Sequence, residues 1–326
     1  MPDSSHQPSH SGLRSAIRLM INLRLAYAVV STGLILVGFF WNNLEGFSIR
    51  YITLVVGIFF ANVFMFVVND FYDAPHDFED PSKRTRNLFC SADTEKLGKR
   101  VLYASLGLSI LLGAIISPQI LVIIALLNLL AFSYSAPPIK LRNRMGWDWI
   151  FVFIWKGLII AASFIYFFGQ DLSAFNSFMV GSLVVVMLYS LIAQMDNQIR
   201  DFHVDRTTNS NHSVQRLGHE YSSVLRHILL VLFFGISLIF CYLMHLYITL
   251  MLILLNSSLF FVVNSRKHNE VLEFCTIWVA VLFMEHFSPS FSFAQQLLFS
   301  VWVVAMGCIA LIHMKRVHLF ADRAGA

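Results

Sequence analysis

Charged side chains are scarce in this chain. Of its 326 residues only 13% are charged, whereas 57% are hydrophobic. A soluble domain would carry roughly a quarter charged residues, so the composition, with a mean hydropathy of +0.68, indicates an integral membrane protein rather than a soluble enzyme. The net charge of +4 requires no nucleic-acid partner, because membrane proteins concentrate Lys and Arg in their cytoplasmic loops.

Cysteine is also rare, and no targeting segment is evident. The scattered thiols, none in C-x-x-C spacing, are Cys90, Cys241, Cys275 and Cys308. This pattern favours buried or free thiols over a metal site or a disulfide framework. The opening "MPDSSHQPSHSG" lacks the basic-then-apolar pattern of a cleaved signal peptide. We therefore predict a disordered polar tail over residues 1–13 and a first apolar helix that is retained.

Long apolar runs are abundant, and a membrane span needs about 20 such residues. They lie at about 17–41, 51–72, 101–117, 119–135, 147–168, 176–195, 224–245, 247–263, 271–287 and 293–313. These runs predict an all-α, polytopic transmembrane helical bundle. It forms a single domain over residues 14–316, followed by a short tail over 317–326.

The connections between these runs alternate in charge. The stretches 76–100, 137–146 and 196–226 are rich in Lys and Arg, whereas "NNLEGFS", "SPQ" and "GQDLSAFNS" contain neither. The positive-inside bias places the basic connections in the cytoplasm. We expect the protein in the inner or plasma membrane of a bacterial or archaeal cell. Charge alone favours ten spans, although the two runs around "MHLYITL" could be counted differently.

Two polar stretches at the ends of apolar runs share one spacing. "NDFYDAPHD" and "NQIRDFHVD" both read N-x-x-x-D-x-x-x-D, which selects Asn69, Asp73 and Asp77, then Asn197, Asp201 and Asp205. Residues four apart share a helical face, so each set can direct its oxygens to one point. Pro75 predicts a helix end before Asp77, because proline cannot continue a helix without a kink.

Sets of acidic and amide oxygens at this spacing repel one another unless a cation joins them. Hard oxygen ligands suit Mg²⁺ or Ca²⁺. Mg²⁺ is usually held by one or two carboxylates plus substrate phosphates. The two stretches, each with few carboxylates, match this preference. The alternative is that these residues are simply solvated at helix ends. Repetition of one spacing on one membrane face favours the functional interpretation.

The connection "SYSAPPIKLRNR" supplies the opposite charge. Its two prolines predict an extended turn, in which Lys140, Arg142 and Arg144 alternate. Alternate residues of an extended segment share a side, so the three cations would form a comb able to hold phosphate oxygens. An ordinary positive-inside loop is the alternative.

Together these stretches resemble the UbiA superfamily of intramembrane prenyltransferases. The family carries N-D-x-x-D-x-x-x-D after its second helix and D-x-x-x-D after its sixth. Here the matching positions are Asn69, Asp70, Asp73 and Asp77, then Asp201 and Asp205. The form "IRDFHVDR" with the later "RLG" is similar to the quinone and archaeal-lipid branches. Where those branches usually have a Gly-Lys-Arg-Thr-like run, this chain has "TTNSNHS".

The resemblance implies a bundle of nine spans enclosing a central cavity, and Mg²⁺ as cofactor. Two ions would be held by Asn69, Asp73, Asp77, Asp201 and Asp205, to which the shared spacing adds Asn197. Diphosphate ligands would be Lys140, Arg142 and Arg200. Asp70, Asp73 and Asp201 would be catalytic, with Asp70 a candidate proton acceptor.

The activity implied is transfer of a prenyl group from a prenyl diphosphate to a lipophilic acceptor in the membrane, with an aromatic or quinone-precursor acceptor favoured. A UbiA-type terpene cyclase and a carotenoid or lipid prenyltransferase remain alternatives. A CDP-alcohol phosphotransferase would need a D-G-x-x-A-R run, which does not occur. A cation transporter would place its carboxylates near the bilayer midplane, whereas these lie at span ends.

Overall fold

The computed structural model describes residues 24–35, 48–79, 84, 87–169, 176–207, 211–262, 282, 285 and 286. Within these residues the chain is helical and contains no β-strand, which confirms the predicted all-α class. The helices are α1 (Leu25–Gly33), α2 (Ile49–Asp77), α3 (Ala92–Ile116), α4 (Pro118–Ser135), α5 (Trp147–Phe168), α6 (Ser177–Arg200), α7 (Phe202–Thr207), α8 (Ser213–Leu217), α9 (His219–Leu243) and α10 (Tyr247–Val262). Short 3₁₀ turns occur at Leu88–Cys90 and Leu141–Asn143.

Six of the described helices are long and apolar enough to cross a membrane, namely α2 to α6 and α9. The chain is therefore a multi-pass membrane protein by the length and composition of its helices. The runs at 271–287 and 293–313 fall almost wholly outside the described residues, so the count of nine or ten spans stays a prediction. The two runs around "MHLYITL" are separate helices, because a turn with His245 at φ 57° lies between α9 and α10.

Polar side chains set the starts of several spans. The Ser48 hydroxyl accepts the Tyr51 amide at 3.2 Å to cap α2, and the Asn176 side chain accepts the Met179 amide at 3.0 Å to cap α6. Such caps satisfy amides that have no partner within the helix. The starts of α2 and α6 follow the connections that lack Lys and Arg, so these caps lie on the predicted external face.

The helices pack in chain order around an apolar core. α2 contacts α1, α3 and α4, after which α4 packs on α5, α5 on α6, α6 on α9 and α9 on α10. The chain after α1 also contacts both α2 and α5, because the Ile35 carbonyl accepts the Tyr51 hydroxyl at 3.1 Å and also accepts the hydroxyl of Ser163. The first and fifth helices are thus brought together across the bundle.

Two spans, α2 and α6, extend past their apolar runs on the motif side, to Asp77 and Arg200. α2 has 29 residues and measures about 43 Å at 1.5 Å per residue, against about 30 Å of hydrocarbon. The expectation that it ends before Asp77 is wrong, since α2 contains Pro75 and ends at Asp77. Hydropathy marks where the lipid ends, but the helix goes on into the polar region and carries the motif with it.

Open cavities of about 430 Å³ and about 510 Å³ lie at the two ends of the bundle. The first adjoins the last turns of α2 and the 3₁₀ turn Leu88–Cys90, and the second lies beside Ser48 and Tyr166 at the opposite end. Neither is the predicted central cavity, which stays a prediction. Cys90 and Cys241 are free thiols, as expected, whereas Cys275 and Cys308 lie outside the described residues.

Candidate active site

The first motif occupies the last turns of α2, where its side chains are linked to one another. The Asn69 amide donates to Asp73 Oδ2 at 2.9 Å, as the spacing of four predicts. Asp73 is buried, and its Oδ1 has no hydrogen-bond partner within the described residues. Ser135, at the end of α4, donates to Asn69 Oδ1 at 3.3 Å and fixes the orientation of the amide.

The other two acids of this motif have different partners. Asp70 is buried and forms an ion pair with Arg24 at 2.9 Å, just before α1 begins. The buried Asn87 donates to Asp77 Oδ2 at 2.9 Å and to the Asp70 carbonyl at 2.7 Å. Burial raises the pKa of the nearby Cys90 thiol, and the charges of Asp77 and Asp70 raise it further. The end of α2 is therefore supported from both the preceding and the following segments.

The cationic connection reaches the first motif, but as a turn rather than a comb. The segment Leu141–Asn143 is a 3₁₀ turn with amide–carbonyl bonds of 3.0 Å (Asn143 to Lys140) and 2.9 Å (Arg144 to Leu141). Alternate residues in such a turn lie about 240° apart rather than on one side. Arg142 Nη1 accordingly donates to Asp73 Oδ2 and approaches Asn69 Oδ1 at 3.5 Å, whereas Arg144 is exposed.

Lys140 lies beside this contact in a left-handed backbone conformation with φ 39°. Burial lowers the pKa of its ammonium below the ordinary 10.5, the charge of Arg142 lowers it further, and Asp73 acts in the opposite direction. The lysine therefore shares its electrostatic environment with the Arg142–Asp73 pair.

The second motif keeps its predicted register. α6 ends at Arg200, yet the Asp201 amide bonds the Asn197 carbonyl at 3.0 Å and the Asp205 amide bonds the Asp201 carbonyl at 2.8 Å. The set of three therefore stays one turn apart through the junction of α6 and α7. Asn197, Asp201 and Arg200 are exposed.

His212 contacts the second motif from the segment that departs from the family pattern. This histidine is buried, and its Nε2 lies 2.8 Å from Asp205 Oδ2. Within the described residues its Nδ1 has no hydrogen-bond partner. The "TTNSNHS" stretch thus supplies a group that positions the last acid of the motif, a role that spacing alone did not indicate.

A buried carboxylate joins the cationic connection to the second motif. Asp148, in the first turn of α5, is fully buried. Its Oδ2 accepts the Gln198 amide at 2.8 Å and the Ser213 backbone amide at 2.9 Å, and its Oδ1 accepts the Ser213 hydroxyl. Gly146, whose φ of 82° favours glycine, donates its amide to the Ser213 hydroxyl at 2.6 Å.

Sequence reasoning missed this group of supporting residues. Asn87, Gln198 and His212 are ordinary polar residues in basic connections and Asp148 begins an apolar run, so only their burial distinguishes them. Arg24, just before α1, is likewise absent from the predicted site residues. The available signal was the position of Asp148 and Gln198 at span ends within apolar surroundings, where polar groups are costly unless paired.

Within the described residues, no group of three or more His, Cys, Asp and Glu side chains lies close enough to share a metal ion. The structure brings Asn69, Asp73 and Arg142 into one contact group. Carboxylates of the two motifs form no such group within the part of the chain that the structure describes.

The aromatic residues of the motif region pack against one another. The ring centroids of Phe71 and Phe89 lie 5.2 Å apart in an edge-on arrangement. Tyr134 is stacked on Phe151 at 4.0 Å, and Phe151 is stacked on Trp155 at 5.7 Å. This second set forms a column from the motif end of α4 into the middle of α5.

The model of the UbiA prenyltransferase family matches residues 31–273 of this chain. That match includes both acidic motifs and the cationic connection, and it covers most of the sequence. The protein belongs to the UbiA prenyltransferase family. The resemblance drawn from the motifs is thereby confirmed. A search of curated proteins gave no significant match.

Solved structures of UbiA homologues have the same fold. One from Archaeoglobus fulgidus, bound to DMAPP and Mg²⁺, is 17% identical with a TM-score of 0.64, covering 83% of this chain and 98% of that one. The same homologue bound to GPP and Mg²⁺ gives a TM-score of 0.63 at 17% identity and equal coverage. A digeranylgeranylglyceryl phosphate synthase is 18% identical with a TM-score of 0.54, covering 85% and 99%. At these identities the likeness shows the fold.

Proposed function

We propose that this UbiA-family protein transfers a prenyl group from a prenyl diphosphate to a lipophilic acceptor within the membrane, in a reaction that requires Mg²⁺. The observation that carries the proposal is the contact group at the end of α2. There an arginine and a carboxylate with one unpartnered oxygen lie side by side, so one small region offers ligands both for phosphate and for a metal. The homologue bound to DMAPP or GPP with Mg²⁺ supports the ligand class.

The residues present fit Mg²⁺ better than a metal enclosed entirely by protein. Asp73 Oδ1 is buried without a hydrogen-bond partner in the described part of the chain, which is costly unless a cation satisfies it. Mg²⁺ takes one or two carboxylates together with substrate phosphates. Asn69, Asp73 and Asp77 would hold it on one side, and Asn197, Asp201 and Asp205 on the other.

The chain's own residues would then have separate roles in binding the diphosphate and accepting the proton. Arg142 and Lys140 bind the diphosphate oxygens, and Arg200 is a further candidate whose exposed side chain can turn toward them. When bound, Mg²⁺ neutralises charge on the diphosphate and so favours its departure. Asp70, which is paired with Arg24, is the candidate proton acceptor.

The reaction balances without a redox partner. The bond between C1 of the prenyl chain and the diphosphate oxygen breaks, and the electron pair leaves with the diphosphate. An electron pair of the acceptor then forms the new bond to C1, and the acceptor loses a proton. The apolar surroundings exclude water, which would otherwise capture the allylic cation.

The test uses the full-length protein in lipid nanodiscs with Mg²⁺, radiolabelled geranyl diphosphate and a total lipid extract of the cells from which the protein comes. We expect the label to enter a lipid product, and chelation of Mg²⁺ to stop the transfer. Asp73→Asn and Asp201→Asn should each lower turnover by roughly 10²-fold or more, because each removes charge stabilisation needed in the transition state.

Asp93→Asn serves as the matched control, since this exposed acid starts α3 on the same side of the bundle. Its turnover should equal that of the wild type. Wild-type rates in both motif variants would contradict the proposed site. A labelled hydrocarbon formed equally well without lipid extract would instead favour the terpene-cyclase alternative.

A further inference from the structure

A lysine lies deep within a spanning helix and outside the site described above. Lys156 is near the middle of α5, about two and a half turns after Trp147. Lys156 is partly buried, and part of its surface remains accessible. Charged groups at this depth are rare and usually serve a ligand or an ion.

The described residues accept only part of the hydrogen bonds that this ammonium group can donate. An ammonium group has three N–H donors, and Lys156 Nζ donates to Ser31 Oγ at 2.8 Å. Among the described residues it has no other hydrogen-bond acceptor and no carboxylate within ion-pair distance. A buried charge without a counter-ion is strongly unfavourable, so the site calls for an anion.

The neighbouring polar groups are already paired and leave Lys156 apart. The Asn62 amide donates to Thr32 Oγ1 at 3.1 Å, and Trp155 Nε1 donates to Asn62 Oδ1 at 3.2 Å. Among the described side chains, these bonds pair polar atoms of α1, α2 and α5 with one another rather than with the lysine.

The depth of Lys156 places it below the proposed diphosphate site. Its partner Ser31 follows Arg24, the partner of Asp70, by about two helical turns, which is about 10 Å along α1. The aromatic column of Tyr134, Phe151 and Trp155 covers the same depth on α4 and α5. An acceptor the size of a substituted ring would bridge this distance.

We propose that Lys156 forms an anion-binding subsite for an acidic group, a carboxylate or a phosphate, on the lipophilic acceptor. The lysine holds that group in the membrane interior and orients the nucleophilic end of the acceptor toward C1 of the prenyl diphosphate. The inference rests on the proposed transferase function and adds the chemical class of its acceptor.

The first experiment separates the lipid extract by charge. Anion exchange divides it into anionic and neutral fractions, and each is offered to the wild-type protein in nanodiscs with Mg²⁺ and radiolabelled geranyl diphosphate. We expect label in products of the anionic fraction. Treating the extract with phosphatase before separation moves a phosphate-bearing acceptor into the neutral fraction but leaves a carboxylate acceptor in place.

The second experiment compares Lys156→Gln with Lys156→Arg. The glutamine variant should raise KM for the anionic fraction roughly tenfold or more, equivalent to about 1.4 kcal/mol, while KM for geranyl diphosphate stays unchanged. The arginine variant retains the positive charge and should stay near the wild type. Lys96→Gln, at an exposed lysine of α3, is the control.

The midpoint of thermal unfolding distinguishes a binding role of Lys156 from a role in stabilising the fold. Without acceptor, Lys156→Gln should melt no lower than the wild type, because it removes an uncompensated buried charge. Label confined to the untreated neutral fraction, an unchanged KM in Lys156→Gln, or a large fall in its midpoint would each overturn the subsite. If even the unfractionated extract takes no label, it is the transferase function that fails.

Discussion

Among single side chains, Arg142 shows how the structure can assign a contact that its position in the sequence does not indicate. Its position in a basic connection is typical of any cytoplasmic loop, but its guanidinium lies on Asp73 and close to Asn69. A guanidinium can bind two oxygens at once, so it can contact a carboxylate and a phosphate together. Lys140, by contrast, is a point charge whose protonation depends on its surroundings.

We expect the pH dependence of diphosphate binding to report Lys140. Burial and Arg142 lower the pKa of this lysine below 10.5, so it loses its proton at a lower pH than a free lysine. Only the charged form binds the diphosphate strongly. The KM for geranyl diphosphate should therefore rise as the pH increases toward that lowered pKa.

Lys140→Arg should remove this rise, because the pKa of arginine lies above about 12. The measurement is KM from about pH 7 to the alkaline limit of the protein, with Lys96→Arg as an exposed control. Identical profiles for the wild type and Lys140→Arg would show that another group is titrating.

At the level of helices and connections, the network around Asp148 links parts of the site that are distant in sequence. Asp148 begins α5, Gln198 belongs to the last turn of α6, and Ser213 begins α8. The buried carboxylate at the start of α5 is also favoured by the helix dipole. Through these bonds, the cationic connection before α5 and the second motif after α6 are held in a fixed relation.

Asp148→Ala should lower stability and weaken diphosphate binding together. The substitution leaves the amides of Gln198 and Ser213 without acceptors, at roughly 1–3 kcal/mol for each buried group. We expect a lower thermal midpoint and a raised KM for geranyl diphosphate, measured on the protein in nanodiscs. Asp93→Ala, at an exposed acid in the first turn of α3, should lower the midpoint far less and leave KM unchanged. An unaltered midpoint in Asp148→Ala would contradict the network.

For the whole molecule, all the site residues lie at one end of the bundle. The ends of α2 and α6 and the starts of α3, α5 and α9 share this end, whereas the caps at Ser48 and Asn176 lie at the other. At this end α2 and α6 extend beyond their apolar runs, to Asp77 and Arg200. A water-facing platform that carries charge, above an apolar bundle, is the arrangement expected for a substrate with a polar head and a lipid tail.

The orientation in the membrane is testable by cysteine labelling. We expect the motif end to face the cytoplasm because its connections carry the Lys and Arg residues. In a background with the native cysteines replaced by serine, Gln119→Cys should react with a membrane-impermeant maleimide in intact cells. Lys96→Cys should react only after the membrane is permeabilised. Both positions are exposed, and the reverse pattern would invert the topology.

The amino-acid order was enough to reveal the class of protein, the spans that the structure describes and the two acidic motifs. These features are local, since hydropathy acts over one run of residues and the spacing of four follows from one helical turn. The pairing of Arg142 with Asp73, the links of Asp148 and the placement of Lys156 beside Ser31 join residues far apart in the chain. Those contacts depend on which helices pack together, and packing follows from the shape of the whole bundle.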